Sequence, residues 1–189
     1  MELLLTAVRS RTSYFFKNAQ EPWTFDGHND IVVLMIPGLI DLGSPSPWPV
    51  LPPGIYEASL SEIEMAFATT PHRRWLFAGF LRMAAALKTA GCRTAYLDGS
   101  FTTGKPHPDY YDGCWDHNSI DFARLDPVLL NFTRKREEQK RKYQGEMFPA
   151  LTLNGTSGTF LDFFQIEKFS GLPKGILRVS LAVLNGATP

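Results

Sequence analysis

The stretch "AYLDGSFTTGKPHPDYYDGCWD", residues 95–116, holds two short apolar runs joined by a polar loop. In "RTAYLDGS" Ala95 and Leu97 alternate with Tyr96, the period of a strand over 93–98. The chain turns at "DGS", crosses the loop "FTTGKPHP", and "YYDGCWD" returns as a second strand. A Gly-Ser pair at the end of a buried strand has a chemical use. Glycine lets a phosphate approach the backbone, and the serine hydroxyl and turn amides donate hydrogen bonds to it. Gly99 and Ser100 occupy that position here. Two carboxylates separated by one intervening residue on a strand share a face and can hold Mg²⁺ through oxygen, with substrate phosphates completing the shell. A third carboxylate on a neighbouring strand often activates the attacking hydroxyl through the metal.

Outward from this stretch, "TPHRRWLFAGFLRMAAALKTAGC" is the clearest helix. Thr70 caps it, Pro71 suits its first position and Gly91 ends it. Leu76, Phe80, Met83 and Leu87 form one stripe at helical spacing, which reads as core packing. "SLSEIEMAF" opens another helix, with a capping box from Ser59 and Glu62. Six prolines between Pro37 and Pro53 predict an extended strap with little regular structure. Downstream, "DPVLLNF" reads as a third strand and "TRKREEQKRKYQG" as a solvated helix ending at Gly145. "TFLDFFQIEKF" is open between a helix, which its Phe and Leu spacing fits better than strict alternation, and a Phe-rich strand, and "GLPKGILRVSL" reads as a turn and a last strand. The order predicts an α+β fold, a mixed sheet with helices packed on it.

Composition narrows the classes. The 189 residues carry 19 basic and 19 acidic side chains, so net charge gives no pull toward nucleic acid or an anionic membrane. Two isolated cysteines, Cys92 and Cys114, fit neither a disulfide scaffold nor a metal cluster. "MELLLTAVRSR" is a poor signal peptide, and "IVVLMIPGLI" is too short and too broken to span a bilayer. A cytoplasmic protein without a membrane partner is expected.

The spacing from Gly99-Ser100 to Asp112, set after a helix and a strand, resembles the minimal, polymerase-beta-like nucleotidyltransferases, whose motif is Gly-Ser, a loop, then Asp-x-Asp. The longer text "HRRWLFAGFLRMAAALKTAGCRTAYLDGSF", "KPHP", "DGCWD", "GEMFPA", "FLDFFQIEKFSG" and "PKGIL" is similar to an uncharacterised prokaryotic family of this kind, over residues 35 to 181. The resemblance implies a nucleotidyltransferase-like domain over 59–189, preceded by the strap at 35–58 and a poorly ordered extension at 1–34. Apart from the resemblance, one reading makes Met35, where the legible stretch opens, the natural start and the residues before it an upstream extension. The resemblance also implies an association with toxin–antitoxin and defence modules.

The family pattern reads Lys-Pro-x-Pro-x-Asp-aromatic-Asp-Gly-Cys-Trp. Lys105, Pro106, Pro108, Tyr111, Asp112, Gly113, Cys114 and Trp115 match it, but Tyr110 stands where the first aspartate belongs. Asp109 lies one residue earlier, on the opposite strand face unless a bulge re-aims it. The resemblance makes Asp112, Asp109 and Asp162 the catalytic set, with Glu146 the alternative third acid and a helix-start or surface acid the equal alternative for Asp162. Asp112 and Asp109 would bind Mg²⁺, while Gly99, Ser100 and Lys105 would hold the phosphates of an NTP. Asp98 reads as a turn residue, and Lys174 as a turn residue able to approach a ligand. Three readings follow: a Mg²⁺-dependent enzyme transferring a nucleotidyl group from an NTP to an unknown acceptor, a degenerate scaffold binding a nucleotide or protein partner as an antitoxin-like component would, and a globular domain in which Gly-Ser is only a turn.

Overall fold

The computed structural model describes residues 6–10, 13–17, 36–151 and 158–182. Strands β1 (Thr6–Ser10) and β2 (Ser13–Lys17) form an antiparallel hairpin inside the segment expected to be a poorly ordered extension. The remaining residues of 1–34 lie outside the described ones.

The main sheet has five strands: β3 (Gly54–Glu57), β4 (Thr94–Asp98), β5 (Tyr111–Trp115), β6 (Gly145–Pro149) and β7 (Gly175–Ser180). Their spatial order is β3-β7-β4-β5-β6. The β3–β7 and β5–β6 pairs are parallel, and β4 runs antiparallel to both neighbours. The expected mixed α+β architecture is therefore present. The last residues of the strap join the sheet as β3, because Gly175 N–H bonds to Leu51 O and draws this segment alongside β7.

Helix α1 (Leu60–Phe67) starts at the expected capping box, and α2 (Pro71–Thr89) starts at Thr70, whose hydroxyl accepts from Arg73 N–H. The stripe Leu76, Phe80, Met83 and Leu87 is fully buried. It meets Ala95 and Leu97 of β4, Tyr111 and Trp115 of β5, and Met147 of β6 in one core. Gly79 permits the approach of the next helix, since a Cβ there would sit 2.0 Å from Tyr143 O. The other sheet face carries a smaller cluster of Cys114, Ile176 and Phe164, with Tyr96, Phe148 and Phe160 against it. Strand alternation separates the two sets.

Two expectations change. "DPVLLNF" is not a strand. Pro127–Leu130 forms a 3₁₀ turn whose Asp126 carboxylate accepts from Val128 N–H, and the third strand is β6. In the charged run, helix α3 covers only Glu137–Tyr143. Arg134, Lys135 and Arg136 before it, and Gln144 after it, all take positive φ, so Gln144 closes the helix and Gly145 begins β6. Helix α4 (Phe160–Phe164) settles "TFLDFF" as helical, through a capping box between Thr159 and Asp162.

Candidate functional site

Three carboxylates line up across adjacent strands. The register places Asp98 at the end of β4 opposite Asp112, and Asp112 opposite Glu146 at the start of β6. Alternation along β5 sends Tyr111 and Trp115 toward α2, leaving Asp112 and Cys114 for the other face.

Asp112 lies at the centre of the row. Burial raises its pKa to about 7, and the charges of Glu146 and Asp98 push it the same way. Hydrogen bonding to Glu146 also favours the protonated form of Asp112. Burial also pushes Glu146 up, but Arg136 and Lys140 outweigh it and hold Glu146 below its ordinary value. Arg136 forks onto Glu146 through Nε at 2.6 Å and Nη2 at 3.0 Å, and Lys140 Nζ lies 3.1 Å from Oε2. Asp98 is buried, and burial raises its pKa against the opposing pull of Lys174, its ion-pair partner.

Gly99 has φ of 84°, and a Cβ there would meet Asp112 Oδ2 at 2.4 Å. Glycine is thus required for Asp112 to sit against this turn, whatever else its backbone contacts. Ser100 opens a 3₁₀ turn, and its hydroxyl donates to Tyr110 O at 3.1 Å. Arg73 holds the following loop in place. Its buried guanidinium donates to Phe101 O at 2.7 Å, Thr103 O at 2.9 Å and Lys105 O at 2.5 Å. His72 Nε2 lies 2.7 Å from Pro108 O and anchors the far end.

The remaining candidates stand apart from the row. Asp109 pairs with Lys105 and its side chain is 71% exposed. Lys105 lowers the Asp109 pKa through that bond, as expected of a solvated ion pair. Asp162 is spent on the start of α4, accepting from Thr159 N–H at 2.7 Å and Thr159 Oγ1 at 2.8 Å. The capping box makes this segment helical, so Asp162 lies on α4 and not on a strand beside Asp112. Glu146, the alternative, is the acid that meets Asp112. Tyr110 is partly exposed, with the Lys140 ammonium 4.8 Å from its ring centroid.

Mg²⁺ requires several oxygen ligands in near-octahedral array. Here Arg136 takes both Glu146 oxygens, Lys174 takes Asp98, and Tyr110 presents a ring face. Among the described residues, no group of three or more His, Cys, Asp or Glu is placed to hold a metal ion. As arranged, the row does not fit Mg²⁺.

Sequence reasoning missed Arg73, Arg136 and Lys140. The two cations on the α3 side were hidden in a run whose composition suits a solvated helix. Lys174 reads as a turn residue until β7 is known to start beside Asp98.

Fold and site define a class: an α+β domain with a row of cation-balanced acids at one end of a mixed sheet. The chain belongs to the family described as "Family of unknown function (DUF6932)", which matches residues 46–180. No curated protein and no solved structure matches it. Among the described residues, no helix is long and apolar enough to cross a membrane.

Proposed function

We propose that this chain is a catalytically degenerate nucleotidyltransferase-fold module, which binds a nucleotide or a protein partner without transferring a nucleotidyl group. One observation carries the reading. Tyr110, which the resemblance sets at the place of the first metal-binding aspartate, has Lys140 over its ring, while the exposed Asp109 pairs with Lys105. A phenol with an ordinary pKa of about 10 is a poor Mg²⁺ ligand beside a carboxylate.

A second reading keeps the Mg²⁺-dependent transfer from an NTP. What favours it is the in-register Asp112–Glu146 pair, two acids on adjacent strands at the end of the Gly99 turn.

Incubation with labelled NTPs and Mg²⁺ or Mn²⁺ separates the two. The degenerate module predicts no label transfer by the wild type and transfer by Tyr110→Asp that Asp112→Ala abolishes. Transfer by the wild type that is lost in Asp112→Ala would establish the enzyme instead.

A further inference from the structure

The chain sets its own cations beside the row, whose register puts Asp112 opposite Glu146. Lys140 Nζ lies 3.1 Å from Glu146 Oε2 and 4.8 Å from the Tyr110 ring centroid, between an acid and an aromatic face. That environment suits an ammonium. A ring face attracts a compact monovalent cation through its quadrupole, whereas it offers Mg²⁺ no oxygen ligand. Arg136 closes the other side, forking onto Glu146 and lying 5.2 Å over Phe148. Asp98 is matched separately by Lys174.

We infer that Lys140 is a built-in cation that stands where a divalent metal would bind, so that the row is charge-balanced by the protein and is independent of divalent metal. Tyr110 and Lys140 act as one unit. Tyr110 removes a metal-binding carboxylate and offers a ring, and Lys140 sets a positive charge between that ring and Glu146. Arg136 assists by occupying both oxygens of Glu146.

The inference rests on the degenerate-module proposal, and the two fail separately. Metal affinity is read without nucleotide, and label transfer is read with it. The test titrates Mn²⁺ alone into the full chain and follows loss of the free-ion electron paramagnetic resonance signal. Circular dichroism verifies each variant. Tyr110→Asp/Lys140→Ala should bind Mn²⁺ at least about tenfold more tightly than the wild type, as expected when oxygen ligands replace a ring and a competing cation leaves. Adding Asp112→Asn to that variant should abolish the gain. At about a hundred times its dissociation constant, Mn²⁺ should raise the thermal midpoint of the double variant by roughly 5–10 °C and leave the wild type unchanged. Should the double variant not fold, Tyr110→Asp/Lys140→Met, which keeps the apolar stem, serves the same comparison. Wild-type binding as tight as that of the variant, and dependent on Asp112, would overturn the inference. So would a folded variant that gains no metal affinity.

Discussion

Asp112 is buried between the two other acids of the row. Its carboxyl is raised to about 7 by burial and by Glu146, so the folded state holds a proton that the unfolded chain releases near its ordinary carboxylate value. The sign follows: this residue costs nothing below the unfolded pKa, and its cost grows as pH rises toward about 7. Asp112→Asn keeps a donor for Glu146 and removes the charge. Urea denaturation should find this variant more stable than wild type by roughly 1–3 kcal/mol at about pH 8, with the gain largely gone near pH 4. A loss at high pH would mean that ionised Asp112 is favourably paired. At this scale the sequence exposed Asp112 and Gly99 but not their relation. Glycine at 99 reads as room for a phosphate, and only the turn geometry reveals that it also admits Asp112 Oδ2. Tyr110 was visible as a departure from a pattern, whereas its partner Lys140, thirty positions away, has no local signal.

Among the elements, α2 and the loop after β4 form one mechanical unit. Arg73 bonds the carbonyls of Phe101, Thr103 and Lys105 from inside the protein and lies over the Phe101 ring. Truncating it strands several buried acceptors. Arg73→Met should lower stability by roughly 2–4 kcal/mol, with limited proteolysis then cutting first within residues 99–105. Unchanged stability would show that water satisfies those carbonyls. The helices with strong punctuation were legible: Ser59 and Thr70 cap as their positions suggest, and the α2 stripe is buried. "DPVLLNF" misled because a short apolar run has no period of its own, and the Asp126 cap with Pro127 turned it into a 3₁₀ segment. For Asp162 the sequence left two readings open, and the structure shows the helix-start one. A carboxylate three residues after a threonine is a helix-start signal, and Thr159 uses it as one.

On the scale of the whole molecule, the strap and the loop before β7 are tied by a single acid. Glu167 accepts from Ser46 Oγ at 2.6 Å, from Ser170 N–H and Oγ at 2.8 Å each, and from Phe169 N–H at 3.1 Å. Burial pushes its pKa up, but these bonds outweigh it and hold the value at about 2. The stabilisation is therefore complete above the unfolded value and is lost as pH falls toward about 2. Glu167→Gln should cost about 1 kcal/mol near neutral pH, after allowance for screening, and flatten the acid side of the stability–pH curve. A parallel downward shift at every pH would contradict this. The mixed sheet itself was predictable from element order. The strand order was not. Pairing β3 with β7, and β5 with β6, depends on contacts between residues far apart in the chain. That long-range pairing brings Glu146 to Asp112 and Lys174 to Asp98, and so decides which acids form the row.

The central claim is that Tyr110 and Lys140 fill the place of a divalent metal. An anomalous difference map from a wild-type crystal soaked in Mn²⁺ tests it most directly. The account predicts no peak between Asp112 and Glu146, with the Lys140 ammonium still over the Tyr110 ring. A strong peak bridging those two carboxylates, with Lys140 displaced, would contradict it.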